Sequence, residues 1–513
     1  MRAGTHHPPT SAAFCPLHSS GTCRSCPHQD VPLDLQLHRK QQRVAALLAS
    51  AARPVPDGAW LAPVASAPTR FRNKAKMVVS GRAASPILGV LGPDGGIDLR
   101  ECPLHVSEIE AALPALARTV SRLGLGPYDV RARRGELKHI LVTASPDGDL
   151  MVRWVLRSHR YVERLRSALP GLREALPTLA VMSVNIQPVH QAIIEGEEEL
   201  ILTEDIPWGD RLLMRLRLPE PDGGAAAGAR ASAEARASDT AGIGARSGEA
   251  AVGAAAGGRS LPDDSALRWR AGEAAVGAAA GSASGRGAAG VLVGTGTTRS
   301  PGIELPLLLP TRSFFQTNTG VAEALYATAT HWARDLSGGA EVWDLFCGVG
   351  GFALALAGPG RRVLGVEVSA PAIRGARESA ALMGLPSEEV RFEVGDARVL
   401  DPGGSAVPDL LVVNPPRRGI GTGLARRIEN SSAARVLYSS CNPVSLAADL
   451  EAMPSLRARR ARLFDMFPHT DHAEVLVELV RRPPSRTAPS PTQTSSARAA
   501  STSTRRASTS AAA

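Results

Sequence analysis

The feature that most constrains the fold is a regular alternation of short apolar strands and helical segments between Thr311 and Val480. This alternation predicts a largely parallel, doubly wound α/β sheet, because parallel neighbours need a crossover between them. The predicted strands are Val342–Phe346, Arg362–Val368, Val390–Val394, Leu410–Asn414, Val436–Ser439 and Val475–Val480, and the predicted helices include Ala370–Met383 and Pro443–Ala452. We assign residues 303–482 to this Rossmann-like domain.

The segment before it, residues 15–205, has a mixed pattern that predicts a central α+β domain. Helical spacing also marks Leu33–Ala49, and Pro146–Asp149 predicts a hairpin turn. The other predicted elements are strands Lys74–Ser80, His139–Ser145, Met151–Arg157 and Leu179–Gln187 and helices Val106–Leu123 and Tyr161–Leu176.

Three segments are predicted to lie outside any folded core. Residues 206–302 contain the string GEAAVGAAAG twice, at 248–257 and 272–281. Two Ala/Gly copies cannot bury a core, so a flexible low-complexity insertion is favoured over a solenoid. A leader, residues 1–14, and a Ser/Thr/Ala/Pro tail, residues 483–513, are expected to be disordered.

Composition limits the class of protein. The net charge of +9 is compatible with a nucleic-acid substrate without proving one. The chain has no apolar run of about 18 residues, which a membrane-spanning helix needs, and Met1–Ser20 lacks the apolar core of a secretory signal. Six unevenly spaced cysteines favour a reducing compartment. We therefore expect a cytoplasmic protein.

A glycine-rich turn and an acid mark the predicted cofactor edge of the sheet. The strand that begins at Val342 runs into Gly348, Gly350 and Gly351, and the next strand ends at Glu367. Ligands bind outside the carboxyl ends of such strands, where an acid can bond ribose hydroxyls. Because neither GxGxxG nor GxxxxGK[ST] is present, S-adenosylmethionine fits better than NAD or ATP. A tight turn in another α/β domain is the alternative.

Cys441 is the candidate nucleophile. It lies between a predicted strand and a predicted helix, where the helix N-terminus can lower a thiol pKa. A buried, inert cysteine is the alternative, but Ser439, Ser440 and Asn442 surround Cys441. Asn414-Pro-Pro is typical of methyltransferases that act on exocyclic nitrogens, yet Arg417 follows instead of the aromatic residue that stacks on the base.

A thiolate suits methylation of uracil C5. Its addition to C6 makes C5 nucleophilic, and a base must afterwards remove the C5 proton. His469, His472 and Glu474 are the candidate bases, and spacing alone does not choose among them.

Together these motifs resemble the iron–sulfur RNA uracil-C5 methyltransferases. The strings that carry the resemblance are Ser313-Phe-Phe-Gln-Thr-Asn318, Asp344-Leu-Phe-Cys-Gly-Val-Gly-Gly-Phe352, Asn414-Pro-Pro-Arg-Arg-Gly-Ile420, Tyr438-Ser-Ser-Cys-Asn442 and Leu463-Phe-Asp-Met-Phe-Pro-His469. Phe71–Gly81, Arg134–Lys138 and Val184–His190 look most like the branch that methylates uracil 747 of 23S ribosomal RNA. The resemblance covers about residues 15–205 and 303–480.

The resemblance implies roles for individual residues. Cys441 is expected to be the nucleophile and Glu474 the proton acceptor. The expected S-adenosylmethionine contacts are Gln316, Phe346, Glu367 and Asn414.

Four cysteines lie outside the predicted methyltransferase domain: Cys15, Cys23, Cys26 and Cys102. Four thiolates suit zinc or a [4Fe–4S] cluster. Spacing alone slightly favours zinc, whereas the resemblance implies an N-terminal [4Fe–4S] segment.

The expected partner is 23S ribosomal RNA, bound by a monomer that does not contact membranes. Phe71, Arg72, Lys74 and Lys76 are candidate RNA contacts, with an ordinary solvated strand as the alternative. Two other functions remain open. One is the same chemistry on another rRNA or tRNA uridine, and the other is a non-catalytic RNA-binding metalloprotein.

Overall fold

A computed structural model describes residues 14–190, 193–219, 302–399 and 407–481. The helices are α1 (Pro16–Ser19), α2 (Leu33–Ala49), α3 (Ser107–Leu123), α4 (Val162–Ala175), α5 (Thr319–Trp332), α6 (Gly351–Leu356), α7 (Ala370–Leu382), α8 (Gly421–Asn430) and α9 (Pro443–Glu451). The strands are β1 (Lys74–Arg82), β2 (Ser85–Gly92), β3 (Gly95–Asp98), β4 (Leu137–Ala144), β5 (Leu150–Leu156), β6 (Leu179–Ile186), β7 (Glu198–Ile201), β8 (Arg211–Arg217), β9 (Glu304–Pro310), β10 (Glu341–Leu345), β11 (Arg362–Glu367), β12 (Val390–Val394), β13 (Leu410–Val413), β14 (Arg435–Ser440), β15 (Leu456–Phe464) and β16 (Glu474–Arg481).

The C-terminal sheet confirms the predicted α/β class. Its seven strands lie in the order β12-β11-β10-β13-β14-β16-β15. The strands from β12 to β14 are parallel, and β16 and β15 form an antiparallel edge. All five parallel strands and β16 were predicted to within two residues at each end. Asn318, Ser369 and Asn442 cap α5, α7 and α9 by accepting hydrogen bonds from backbone N–H groups.

The central sheet is mixed, with the order β3-β2-β1-β4-β5-β6-β7. The β5–β6 pair is parallel and the other pairs are antiparallel. Helices α3 and α4 bury one face of this sheet in a core that includes Met77, Leu116, Trp154 and Leu165. The predicted hairpin at Pro146–Asp149 joins β4 to β5.

The N-terminal segment does not belong only to the central domain to which the sequence assigned it. Val44 and Leu48 of α2 share a core with α8, α9 and the C-terminal sheet. Trp60 and Val64 form isolated bridges to Ala461 and Phe464 of β15. Residues of this part of the chain, which the sequence assigned to the central domain, therefore also pack against the C-terminal sheet. These contacts join segments some 400 residues apart in the sequence. The periodicity of apolar residues within one segment does not predict contacts between distant segments.

The predicted insertion begins too early. Residues 211–217, assigned to it by composition, form β8, which pairs with β9 in a two-stranded antiparallel sheet. Leu212, Met214 and Leu216 of β8 are buried against the C-terminal domain. The repeated Ala/Gly string, the leader up to Ala13 and the tail from Arg482 lie outside the described residues.

Candidate active site at the carboxyl edge of the sheet

The glycine turn after β10 is shaped for close approach of a ligand. The N–H groups of Phe346 and Cys347 both donate to the carbonyl oxygen of Val366, at 3.0 and 3.1 Å. Phe346 and Gly348 have φ values of 69° and 56°, and a Cβ added to Gly348 would meet no atom within 4 Å. The turn therefore leaves open space above a backbone bend that glycine adopts without strain.

Glu367 closes one side of this space. Its carboxylate accepts the N–H of Gly348 at 3.3 Å and the N–H of Ser369 at 3.0 Å. Asn414 follows β13 at the same edge and is half-buried. The predicted positions thus lie at one edge of the sheet, where a nucleoside would bind: Phe346 and Asn414 follow parallel strands, and Glu367 is the last residue of one.

Gln316 approaches from a different element. It is buried in the segment between β9 and α5, and its carbonyl oxygen accepts a hydrogen bond from Asn73 Nδ2 at 3.1 Å. Asn73 also donates to Thr319 Oγ1 at 2.9 Å. This contact fastens the Gln316 segment to the central domain.

Asp344, near the end of β10, was not singled out from the sequence. It is fully buried, and burial raises its pKa to about 8. Oδ2 accepts the N–H of Ala353 at 2.9 Å, whereas Oδ1 has no hydrogen-bond partner among the described residues. One acid inside an otherwise apolar strand was the available signal. Together with the open turn and Glu367, it makes this edge fit an S-adenosyl ligand.

Cys441 lies directly after β14, half-buried in a cleft at the start of α9. The pKa of the Cys441 thiol is raised, whereas a helix N-terminus by itself would lower it. Burial is the largest cause and the nearby carboxylate of Glu474 adds to it, while the positive charge of Arg417 and a hydrogen bond with Arg417 lower the thiol pKa. Among the groups that favour the thiolate, the Arg417 guanidinium has the largest effect.

Hydrogen bonds with buried side chains and with Asn442 fix the loop that carries Arg417. Buried Asp449 accepts hydrogen bonds from the N–H groups of Ile420 and Gly421 and from the hydroxyl of Tyr438. Asn442 Nδ2 donates to the carbonyl oxygen of Arg417 at 2.8 Å. In the sequence analysis, Arg417 served only as an argument against exocyclic-amine methylation, and its contact with Cys441 was not predicted.

The structure distinguishes the three candidate bases. Glu474 is the first residue of β16, is 2% exposed, and accepts a hydrogen bond from Ser439 Oγ at 2.5 Å. Burial raises its pKa to about 7, the range in which a carboxylate serves as a base at neutral pH. His469 is buried away from the cleft against Gln36 and Pro68, whereas His472 lines the cleft with Cys441.

Cys15, Cys23, Cys26 and Cys102 all line one cavity between the N-terminal segment and the central sheet. Burial raises the pKa of Cys26 to about 11 and also raises that of Cys102, and the neighbouring thiols add to both shifts. Arg72 opposes these shifts. No group of three or more His, Cys, Asp or Glu side chains among the described residues forms a site for a metal ion.

Two buried nitrogens in the same cavity lack hydrogen-bond partners among the described residues: Arg72 Nε and His105 Nδ1. The unpaired N–H of Arg72 beside four thiols fits an anionic group bound by those thiols, because buried polar groups are nearly always satisfied.

One prediction about RNA contact is wrong. Phe71 is buried at 6% exposure, so its ring cannot stack on a base. Arg72 lines the cysteine cavity and Lys74 is half-buried, whereas Lys76 is exposed. Every second residue from 71 to 80 is buried, and Phe71, which precedes β1, falls on the buried side of this alternation.

Comparisons with known proteins show the family to which this chain is similar. Residues 307–386 and 405–482 match the tRNA (Uracil-5-)-methyltransferase family model. The 23S rRNA (uracil(747)-C(5))-methyltransferase RlmC of Halothiobacillus neapolitanus is 42% identical over 474 residues, which cover 91% of this chain and 99% of the relative. The RlmC of Cronobacter sakazakii is 40% identical over 469 residues, covering 91% and 99%.

Among solved structures, the Pyrococcus abyssi tRNA (uracil-54, C5)-methyltransferase in complex with S-adenosyl-L-homocysteine has the same fold, with a TM-score of 0.58. It is 19% identical and covers 89% of this chain and 85% of its own. Within the described residues, no helix is long and apolar enough to cross a membrane.

Proposed function

The chain belongs to the family of 23S rRNA (uracil(747)-C(5))-methyltransferases, and on that premise we propose that it methylates C5 of uridine 747 with Cys441 as nucleophile. The observation that carries the proposal is that Cys441 and Arg417 line one cleft, while the charges of Arg417 and of buried Glu474 both act on the Cys441 thiol. A thiol, a cation that stabilises its thiolate and a carboxylate that titrates near neutrality are the groups that C5 methylation requires.

The proposed reaction has three steps. The Cys441 thiol loses its proton to solvent, and the thiolate adds to C6, which moves the C5=C6 electron pair onto C5. C5 then attacks the methyl carbon of S-adenosylmethionine, and the methyl–sulfur bond breaks to release S-adenosylhomocysteine. Glu474 finally removes the C5 proton, so that the C5=C6 bond forms again and the Cys441 thiolate leaves.

S-adenosylmethionine is proposed to bind over the glycine turn. The Glu367 carboxylate, already held by Gly348 and Ser369, has the position to accept ribose hydroxyls. Phe346, Asn414 and Gln316 complete the proposed contacts. The target uridine must leave its stack to reach Cys441, because C5 is covered in structured RNA.

We also propose that Cys15, Cys23, Cys26 and Cys102 hold a [4Fe–4S] cluster. Four cysteine thiolates are the ligand set of such a cluster, and all four thiols line one cavity that also contains the unpaired N–H of Arg72. Its proposed role is structural, because methyl transfer moves no net electron.

The proposal also includes the compartment, the oligomeric state and the roles of the two domains. The enzyme acts in the cytoplasm as a monomer. Residues 15–205, less the part that packs on the C-terminal sheet, provide RNA binding, and residues 303–482 provide catalysis.

The test uses a 23S rRNA fragment with 5-fluorouridine at position 747. Fluorine cannot leave as a cation, so the Cys441–C6 bond persists after methyl transfer. The wild type is expected to form an adduct that survives denaturing electrophoresis and requires S-adenosylmethionine, and Cys441→Ala is expected to form none. Cys347→Ala is the matched control, because Cys347 is buried and its pKa is raised well above the usual value. An adduct formed by Cys441→Ala would contradict the proposal.

A further inference from the structure

Helix α2 buries two polar side chains on the face that packs against the C-terminal domain. Gln36, Lys40, Val44 and Leu48 recur every four residues and are all nearly fully buried. Buried amide and ammonium groups destabilise a fold unless they are bonded. Both polar groups find their partners in residues 465–473, the loop that joins β15 to β16 and ends immediately before Glu474. We refer to it as the 465–473 loop.

His469, in the middle of this loop, is held at four atoms by the N-terminal segment. Its N–H donates to Gln36 Oε1 at 2.9 Å, and Gln36 Nε2 donates to its Nδ1 at 3.2 Å. Its Nε2 donates to the carbonyl oxygen of Pro68 at 2.8 Å, and its own carbonyl oxygen accepts the N–H of His28 at 3.1 Å. These bonds suit one neutral tautomer, and they hold a non-glycine residue at a φ of 64°.

Both ends of the loop are held as well. Lys40 Nζ donates to Asp465 Oδ1 at 2.6 Å and to the carbonyl oxygen of Phe467 at 2.8 Å. Asp471 pairs with His28 at 3.0 Å and with Arg43. Residues 14–68 therefore contact the loop at its beginning, middle and end.

The loop forms part of the active-site cleft. Asp471, His472 and Ala473 line the cleft together with Cys441. Glu474 follows at once, so its backbone is set by the strand ladder on one side and by the loop on the other.

We propose that Gln36 is a positioning residue for the methylation reaction, which through His469 holds the 465–473 loop so that Glu474 faces the uracil adduct on Cys441. The inference rests on the proposed role of Glu474 as the base. Gln36 reaches no reacting atom itself. Loosening its two bonds slows the removal of the C5 proton more than the addition of the thiolate, because only proton removal uses Glu474.

The test compares Gln36→Met with Glu474→Gln and wild type on RNA labelled with tritium at uracil C5. Methionine keeps the volume of Gln36 and loses both bonds to His469, together with the bonds from Gln36 Nε2 to the carbonyl oxygens of His28 and Val31. Tritium release is expected to fall about tenfold to a hundredfold, because small displacements of a catalytic group have effects of this size. The S-adenosylmethionine-dependent covalent adduct is expected to accumulate, as we also expect for Glu474→Gln, which removes the base.

Gln41→Met is the matched control. Gln41 lies on the same helix and donates to the carbonyl oxygen of Leu61, away from the loop. This variant should match wild type in both readouts. His469→Asn loses the ring contacts, and asparagine tolerates the left-handed backbone at this position. This variant should change both readouts in the same direction as Gln36→Met, and it replaces Gln36→Met if that variant folds poorly.

The outcomes separate the inference from the proposed function. If Glu474→Gln accumulates adduct but Gln36→Met and His469→Asn lower adduct and tritium release by equal factors, their role is only structural and the inference is overturned. A different outcome would overturn both proposals. If Glu474→Gln accumulates no adduct, although the wild type forms the Cys441 adduct with 5-fluorouridine RNA, the proposed role of Glu474 is wrong and the inference falls with it.

Discussion

Burial sets the chemistry of both Cys441 and Glu474. It raises the pKa of the thiol, which therefore needs the Arg417 guanidinium to ionise, and it raises the pKa of Glu474 to about 7. The nucleophile and the base are both active when deprotonated. Both shifts consequently disfavour the reaction at low pH.

The rate of C5 proton removal is expected to rise with pH through about 7, because Glu474 must be ionised to accept the proton. The hydrogen bond from Ser439 lowers the Glu474 pKa, so Ser439→Ala should move this rise to higher pH. Single-turnover tritium release between pH 5.5 and about 9 measures both curves, within the range where a perturbed carboxylate titrates. Superimposable profiles would contradict the assignment of Glu474.

Single residues show where sequence prediction works and where it ends. The nucleophile candidate Cys441 could be named because strand, thiol and helix follow one another along the chain. The choice of Glu474 over His469 required the resemblance, since all three candidates lie within six residues. The contact of Arg417 with Cys441 joins two separate loops, and local spacing does not report such contacts. Phe71 was predicted to stack on RNA because composition does not tell which side of the extended segment that leads into β1 is buried.

At the scale of elements, α2 is fastened to the 465–473 loop by a buried ion pair. The side chains of Lys40 and Asp465 are 3% and 1% exposed, and burial lowers the pKa of Lys40 and raises that of Asp465. Asp465 Oδ2 has no further hydrogen-bond partner among the described residues. The pair therefore depends on its one short contact.

Lys40→Met is expected to lower the free energy of unfolding by about 3–5 kcal/mol, because it leaves a buried carboxylate unpaired. The double variant Lys40→Met/Asp465→Leu should recover most of this loss, since it removes both charges. Urea denaturation of the two variants and of Gln41→Met measures the effect. A double variant no more stable than Lys40→Met would show that the ion pair is not the source of the loss.

Elements with local signals were predicted well. The five parallel strands follow apolar runs, and α2 has the predicted bounds. In contrast, β15 was missed because its sequence, LRARRARLF, carries four arginines. Arg460 is accommodated there by stacking on Trp332 and by pairing with buried Glu478. Such partners come from other elements, so the strand cannot be recognised from its own residues.

At the scale of the whole molecule, the strands that flank the undescribed residues 220–301 are neighbours. Arg217 of β8 lies opposite Glu304 of β9, and the N–H of Leu218 donates to the carbonyl oxygen of Ile303 at 2.9 Å. The chain therefore leaves and re-enters this sheet at adjacent positions. A short connection can join them.

Deletion of residues 223–300 is accordingly expected to leave the rate of uracil methylation within about twofold of wild type, because surface insertions contribute little when their ends are close. Thermal unfolding should show an unchanged midpoint. Loss of methylation in a variant that still folds would instead show that the deleted residues take part in RNA binding or catalysis.

The central claim is that this chain methylates C5 of one uridine through Cys441. The most direct test supplies S-adenosylmethionine and 23S rRNA labelled with tritium at uracil C5, together with the same RNA carrying cytidine at position 747. We expect the wild type to release tritium and incorporate methyl groups in equal amounts on the first RNA only, and Cys441→Ala to do neither. Methyl incorporation without tritium release, or release by Cys441→Ala, would contradict this account.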